Sequence, residues 1–113
     1  MNKTDFGKFG EEKGIEFLKK KGYKILTKNF RTKLGEIDII AKKDKKIVFI
    51  EVKTRRNSEF GFPEESVNRK KLLRIERCAH IYLTRNKIDC DYRFEILSIL
   101  LKENPEFNII PIE

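Results

Sequence analysis

Two apolar, β-branched runs that follow each other closely constrain this chain more than any other feature. Residues 36–42 read EIDIIAK and residues 46–54 read KIVFIEVKT, with the polar stretch KDKK at 43–46 joining them. Runs of this composition favour β-strands, and a short polar connection is typical of antiparallel neighbours. The sequence therefore predicts a β-hairpin.

The register of this hairpin decides which side chains share a face of the sheet. A three-residue loop would place the aspartate of the first strand beside an aliphatic residue. A two- or four-residue loop centred on residues 44 and 45 keeps apolar partners together, so we favour it. This register pairs residue 42 with residue 47, Ile40 with Phe49, Asp38 with Glu51, and Glu36 with Lys53.

Asp38, Glu51 and Lys53 are the candidate catalytic residues of this hairpin. Two carboxylates directly opposite each other repel, and a divalent cation such as Mg²⁺, which takes oxygen ligands, removes that repulsion. Lys53 points to the same side as Glu51, where it could orient or deprotonate a water or neutralise charge on phosphorus. The pattern indicates metal-assisted phosphodiester hydrolysis. The alternative is an ordinary surface pair between Glu51 and Lys53.

The remaining segments predict helices packed on one sheet. Residues 5–21 read as a helix, with Thr4 or Asp5 as its cap and Gly22 at its end. Residues 64–85 predict a second long helix, 23–31 and 91–102 predict strands, 60–63 a loop, and 107–112 a tail that is extended at best. The order αβββαβ favours an α+β or mixed α/β fold. With 113 residues and no linker, we expect one domain over 1–113.

Composition favours a cytoplasmic protein that binds nucleic acid. The formal net charge is +8, which attracts polyanions. No apolar run approaches the roughly 20 residues that span a bilayer, and the N-terminus has no secretory signal, so we expect no membrane partner. Cys78 and Cys90 fit free thiols. Cys78 and His80 do not make a zinc site, because residues two apart on a helix point in different directions.

Further charged residues extend the candidate site. Glu11 lies on or beside the inward face of the first helix, where it could add a carboxylate to the metal; a solvent-facing charge is the alternative. Glu36 is a supporting carboxylate on the face of Asp38. Arg55 and Arg56, directly after Lys53, are the best placed of a predicted phosphate-binding rim. A solvated helix face explains the 69–77 group equally well. The rim comprises Arg31, Lys33, Arg55, Arg56, Arg69, Lys70, Lys71, Arg74 and Arg77.

Several motifs together resemble one known family. They are Gly10-Glu11, NFR at 29–31, GEIDIIA at 35–41, FIEVKTR at 49–55, Phe60-Gly61 and Lys71. In this order they resemble the YraN family of uncharacterised bacterial proteins, over roughly residues 7–96. That family is identified as a member of the PD-(D/E)xK nuclease superfamily, with a restriction-endonuclease-like fold, and is similar to archaeal Holliday junction resolvases.

The resemblance implies a function and roles for specific residues. Asp38 matches the superfamily aspartate, Glu51 and Lys53 the E-x-K, and Glu11 the first-helix acid of the resolvase branch. It implies an αβββαβ core, Mg²⁺ or Mn²⁺ as cofactor, and a DNA or RNA substrate, of which we favour DNA. By analogy with nucleases that cut branched DNA, it also allows a homodimer.

Three functions follow as hypotheses. The first is an endonuclease acting on branched or repair-intermediate DNA. The second is a non-catalytic nucleic-acid-binding module whose nuclease site is vestigial. The third, with the weakest support, is a protein-interaction domain whose basic surface is incidental.

Overall fold

The computed structural model describes residues 3–56 and 68–112 of the chain. Within them it has two helices and five strands. The order along the chain is α1 (Lys3–Lys20), β1 (Lys24–Thr32), β2 (Gly35–Lys43), β3 (Lys46–Arg55), α2 (Arg69–Arg85), β4 (Tyr92–Leu100) and β5 (Glu106–Ile112). The predicted loop at 60–63 and the first four residues of the predicted second helix lie outside the described residues.

The five strands form one mixed sheet in the order β1-β2-β3-β4-β5. The pair β3–β4 is parallel, whereas the other three neighbouring pairs are antiparallel. Parallel neighbours need a long crossover connection, and this one contains α2. The fold is an α+β fold with a restriction-endonuclease-like core and helices flanking a central mixed sheet, which confirms the predicted fold class.

The helices cover opposite faces of the sheet. Leu18 of α1 is buried in one cluster, here called the α1 cluster, with residues such as Ile39 and Ile50. Ile75 and Tyr82 of α2 are buried in a second, the α2 cluster, which contains Ile37, Ile40, Ile47 and Phe49 of the hairpin. The strands are therefore buried on both faces, which explains their long apolar runs.

The predicted hairpin register is confirmed where β2 and β3 pair. Residue 42 faces residue 47, and Ile40 faces Phe49. The turn residues Asp44 and Lys45 have φ values of +50° and +68°. Positive φ at both central residues is the mark of a type I′ turn, whose twist matches that of the strands it joins.

Several element ends differ from the predictions, and the predicted cap of the first helix is wrong, because Thr4 and Asp5 lie inside α1. Helix α1 ends at Lys20 in a Schellman motif, in which Gly22, at φ +91°, and Tyr23 donate to Lys19 and Leu18 carbonyls. Helix α2 begins at Arg69 rather than at 64, because Asn68 has an extended ψ of 173° and acts as the N-cap. The C-terminal tail, predicted to be extended at best, is a fifth strand paired with β4.

In the part of the chain that the structure describes, neither helix is long and apolar enough to cross a membrane. Both cysteines are free thiols; Cys78 is buried and Cys90 is exposed.

Candidate active site at the fork between two strands

The strands β2 and β3 separate at the candidate site. Their ladder ends at the pair Ile39–Ile50, while β3 continues beside β4 as far as Arg55. The predicted backbone pairing of Asp38 with Glu51, and of Glu36 with Lys53, is therefore wrong. Facing carboxylates destabilise a ladder, and beyond Ile50 the strand β3 is held on its other edge by the parallel neighbour β4.

Asp38 lies in the fork that this separation opens. Its Oδ2 accepts a hydrogen bond from the Val52 backbone N–H at 2.7 Å. Strand β2 also changes faces here, because Ile37 packs in the α2 cluster and Ile39 in the α1 cluster. The hydrogen bond satisfies an N–H that the ladder no longer pairs, and it fixes the direction of the carboxylate.

Two cavities meet at this fork, one on each face of the sheet. The first, here the α1-side cavity, has a volume of about 320 Å³ and includes Gly7, Glu11, Lys53 and Thr54 in its lining. The second, here the α2-side cavity, measures about 240 Å³ and is lined among others by Glu36, Lys71, Arg74 and Ile75. Asp38 and Glu51 line both cavities. Side chains from both helices therefore reach the same pair of carboxylates.

The carboxyl group of Asp38 is strongly perturbed. Burial raises its pKa to about 7, the negative charges of Glu51, Glu11 and Glu36 add to the rise, and the hydrogen bond from Val52 opposes it. A group that resists ionisation because other acids surround it is typical of functional sites. The carboxylates that the sequence analysis selected are thus close enough to act on one another.

Helix α1 delivers Glu11 to the fork through a close contact with β3. A β-carbon at Gly10 would lie 2.9 Å from Cβ and Cγ2 of Thr54, so only glycine permits this approach. Burial raises the pKa of Glu11, whereas a hydrogen bond with the Asn29 side chain lowers it. Glu11 therefore lines the α1-side cavity as predicted for an inward-facing acid.

Asn29 is a site residue to which the sequence analysis gave no role. It lies between Lys28 and Phe30, which pair with Ile39 and Ile37, and so stands across from Asp38. Its φ of +50° is uncommon for a residue in a strand, and asparagine tolerates it better than most. The sequence signal that could have identified this residue is an asparagine inside a run of β-forming residues.

Two lysines approach Glu51 from different elements. Lys71 Nζ lies 3.0 Å from Glu51 Oε1, in a half-buried ion pair. Burial and then the charge of Lys71 lower the pKa of Lys53. For Lys71 burial lowers the pKa, but hydrogen bonds with Glu51 and Lys53 outweigh it and the pKa is raised. Lys71 thus holds its proton more tightly than an ordinary lysine, whereas Lys53 gives up its proton more readily.

The position of Lys71 follows from the start of α2. The Asn68 side chain accepts a hydrogen bond of 2.8 Å from the Lys71 backbone N–H. This cap fixes the first turn of the helix, which faces the fork. Lys71, predicted as a rim residue, therefore contacts a site carboxylate directly.

The other predicted rim residues divide into three groups. Arg74 lines the α2-side cavity. Arg55 is half-buried at the end of β3, and Arg56 is exposed, with its guanidinium 4.8 Å from the centre of the Phe6 ring. The remaining residues are exposed and line neither cavity at the fork; they are Arg31, which pairs with Glu36 at 3.6 Å, Lys33, Arg69, Lys70 and Arg77.

The donor atoms at the fork suit a hard divalent cation. Glu11, Asp38 and Glu51 line one cavity and offer carboxylate oxygens only, which are the ligands that Mg²⁺ and Mn²⁺ prefer. Within residues 3–56 and 68–112, no three acidic, histidine or cysteine side chains are placed to hold an ion together. A cation here would use two carboxylates, with water and phosphate oxygens completing its shell, which is usual for Mg²⁺.

The Cys78 and His80 pair is no metal site. Buried Cys78 Sγ lies 3.2 Å from the Thr32 hydroxyl. His80 is exposed, with its ring 6.0 Å from that of Tyr92. The two side chains point apart, as the sequence analysis argued.

Comparison with known proteins gives one family. The family model described as "Uncharacterised protein family UPF0102" matches residues 10–99. A UPF0102 protein of Caldicellulosiruptor saccharolyticus is 49% identical over 107 residues, covering 94% of this chain and 91% of the relative. Those of Dictyoglomus thermophilum and Alkaliphilus oremlandii are 47% and 48% identical, over 92% and 91% of this chain and 89% and 90% of theirs.

Proposed function

The chain belongs to the uncharacterised protein family UPF0102, the YraN family that its motifs predicted, and we propose that it is a metal-dependent endonuclease. One observation carries the proposal. Asp38 is held in the fork by the Val52 N–H and shares a cavity with Glu11, Glu51 and Lys53. Three acids and a lysine of lowered pKa in one cavity form a set suited to phosphodiester hydrolysis.

The acids would bind the metal cofactor, and the lysines would neutralise negative charge and accept a proton. Asp38 and Glu51 would bind Mg²⁺ or Mn²⁺, with Glu11 beside them; such an ion polarises a phosphoryl oxygen and acidifies a water. The water oxygen would attack phosphorus as one P–O ester bond breaks, and the leaving oxygen would take a proton from solvent, which gives a phosphomonoester and an alcohol. Lys53, which lines the same cavity and whose pKa is lowered by burial, would accept the water proton.

The basic residues on the α2 side would bind the substrate backbone. Lys71 and Arg74 line the α2-side cavity next to Asp38 and Glu51. A lysine and an arginine at that point would stabilise the phosphate as charge develops on it. The substrate we propose is nucleic acid in branched or repair-intermediate form, with DNA favoured over RNA. A homodimer remains a prediction, which sedimentation in solution would test.

A cleavage panel tests the proposal. Purified protein is incubated with single-stranded, duplex, flapped and four-way-junction DNA, and with RNA, with and without Mg²⁺ or Mn²⁺. We expect metal-dependent cleavage of at least one substrate, reduced at least about 100-fold in Asp38→Ala and in Lys53→Ala, while nucleic-acid binding persists. Lys46→Ala, a lysine at the opposite end of β3, is the matched control and should cleave normally.

One further variant separates two roles of Lys53. Arginine keeps the positive charge but does not lose its proton in proteins. If Lys53 accepts a proton, Lys53→Arg is as inactive as Lys53→Ala. Recovery of cleavage in Lys53→Arg would show that the residue supplies charge only. Failure to cleave any substrate with either metal would reject the endonuclease proposal.

The ion pair between Lys71 and Glu51 favours a second candidate function. Lys71 Nζ, 3.0 Å from Glu51 Oε1, already neutralises the charge of one carboxylate at the fork. That arrangement also suits a nucleic-acid-binding module whose nuclease site is vestigial. This function predicts salt-sensitive binding that Mg²⁺ and Asp38→Ala leave unchanged, and that loss of Arg74 weakens.

A further inference from the structure

A third cavity lies next to the fork and has no part in the proposed chemistry. It is open, measures about 530 Å³, and is lined by Phe6, Phe9, Arg56, Leu101, Lys102, Glu103 and Pro105. Phe6 also lines the α1-side cavity, so the two cavities are neighbours on one surface. The volume falls within the roughly 300–1,000 Å³ usual for small-ligand sites.

The two phenylalanines of this cavity are not core residues. Both are half-buried, and the two apolar clusters formed by the described residues include neither. By contrast, Phe17 of the same helix packs against the α1 cluster, with its ring stacked on Phe107 at 4.7 Å between centroids. Packing of the core therefore explains Phe17 but does not explain Phe6 and Phe9.

Helix geometry places these rings and the site acid on either side of the contact between α1 and β3. With 3.6 residues per turn, Phe6 and Phe9 lie on one side of Gly10, whereas Gly7 and Glu11 lie on the other. Gly10 is the point of closest contact with β3. Because Phe6 lines both cavities, a substrate strand with its phosphate at Glu11 and Asp38 has the Phe6 ring within reach of the adjoining nucleotide.

Cationic side chains lie beside both rings, and one of them, Lys13, is also paired with Glu16 at 3.7 Å. The Arg56 guanidinium lies 4.8 Å from the Phe6 ring centre, and Lys13 Nζ lies 5.6 Å from that of Phe9. Lys102 and Glu103 also line the cavity, and Lys102 pairs with Glu106 at 2.5 Å. Aromatic faces beside arginine and lysine are the combination on which unstacked bases bind.

We infer that this third cavity receives an unpaired nucleobase adjoining the phosphate bound at the fork. A base inside a duplex has both faces covered by its neighbours, so only an unpaired one can stack on Phe6 or Phe9. The inference rests on the proposed function. It narrows the substrate to nucleic acid with a single-stranded segment at the scissile position, such as a flap or an unpaired branch.

Binding measurements in an uncleaving background test this inference. The Asp38→Asn protein is titrated with a flapped DNA carrying 2-aminopurine in its unpaired segment, and with a fully paired duplex of equal length. Phe6→Leu and Phe9→Leu keep an apolar side chain but remove the ring. Each should weaken flap binding about 5- to 100-fold and change duplex binding less than about twofold. Quenching of 2-aminopurine fluorescence should fall in parallel.

Two controls separate stacking from folding. Phe9→Tyr retains a ring and should bind the flap like the parent. Phe107→Leu removes a ring that stacks on Phe17 away from this cavity and should not alter the preference for the flap. Urea unfolding of each variant establishes that the protein compared is folded.

The outcomes distinguish this inference from the proposed function. If the leucine variants weaken binding of the flap and of the duplex equally, or weaken neither, the base site is rejected. Metal-dependent cleavage by the wild type would still support the endonuclease in that case. If the parent shows no preference for the flap, the base site is rejected as well. If no nucleic acid binds at low salt, the proposed function fails and this inference fails with it.

Discussion

Asp38 occupies a position that favours function over stability. Its carboxylate accepts one backbone hydrogen bond but is surrounded by Glu51, Glu11 and Glu36. Like charges held together in a partly buried place destabilise the fold unless a cation joins them. Strain of this kind is expected where a site is built for a ligand.

Asp38→Asn should therefore stabilise the metal-free protein. The folded-state pKa of Asp38 is about 7, above the roughly 3.9 of an unfolded chain. A raised pKa means that the folded state favours the protonated form, so its stabilising contribution is present below about pH 4 and is lost as pH rises through about 7. At pH 8 in EDTA we expect Asp38→Asn to raise the free energy of unfolding by about 1–3 kcal/mol.

Urea unfolding at pH 5 and pH 8 measures this effect. The difference between Asp38→Asn and wild type should grow with pH, and saturating Mg²⁺ should stabilise the wild type but not the variant. Asp89→Asn, an exposed substitution between α2 and β4, should change neither. Equal stability of Asp38→Asn and wild type at both pH values would contradict the crowded-carboxylate account.

At the scale of elements, the contact between α1 and β3 determines whether the site forms. Gly10 meets Thr54 so closely that a methyl group would force the helix away from the strand. Gly7 has nothing within 4 Å of where a β-carbon would lie. Gly7 and Gly10, two of the glycines of this helix, therefore offer a matched comparison.

Gly10→Ala should lower the free energy of unfolding by about 1–3 kcal/mol, because over-packing displaces the helix. Gly7→Ala should raise it by about 0.5–1 kcal/mol, because alanine favours the helix. Adding Thr54→Ala should recover part of the loss caused by Gly10→Ala. Chemical denaturation of the four proteins provides the comparison. If the two alanine variants are equally stable, α1 does not depend on this contact.

The elements also show which features of the fold could be predicted from the sequence. The register of β2 and β3 was predictable because the turn and the alternation of apolar residues are local signals. The fork at Asp38 was not, because it depends on β2 leaving β3, with Ile37 packed against residues of α2 more than 30 residues away along the chain. The pairing of the C-terminal strand with β4 is likewise non-local.

The same division holds for the site. Asp38, Glu51 and Lys53 could be selected because their residue types occur together in one hairpin. Lys71 and Asn29 could not be assigned their contacts, because α2 and β1 bring them to the fork from distant parts of the chain. Local spacing thus identified the acids, and only tertiary structure identified the groups that modify their charge.

At the scale of the whole molecule, the effect of the net charge of +8 on nucleic-acid binding depends on where the positive residues lie. A charge that contacts phosphate releases counterions on binding, whereas one elsewhere contributes only a screened field. Arg74 lines the α2-side cavity, and Lys45 lies in the turn at the far end of β3. Replacing either Arg74 or Lys45 by glutamine removes one exposed positive charge, so the net charge of the protein changes by the same amount in both variants.

Arg74→Gln should make nucleic-acid binding weaker and less dependent on salt. The slope of log K against log salt should fall in magnitude by about 1, the value expected for one lost phosphate contact. Lys45→Gln should leave the slope almost unchanged. Binding titrations from 50 to 300 mM salt, roughly the range in which such contacts are measurable, supply the comparison. Equal slopes for the two variants would show that the charge acts as a diffuse field.

The central claim is that the acids at the fork hold a divalent cation on which hydrolysis depends. Single-turnover cleavage of a flapped DNA, measured against Mn²⁺ concentration for wild type and Asp38→Asn, tests it most directly. We predict a wild-type rate that saturates with metal and an Asp38→Asn rate at least about 100-fold lower at every concentration, with equal binding of the DNA. Equal rates in the two proteins, or no metal dependence in the wild type, would contradict the account.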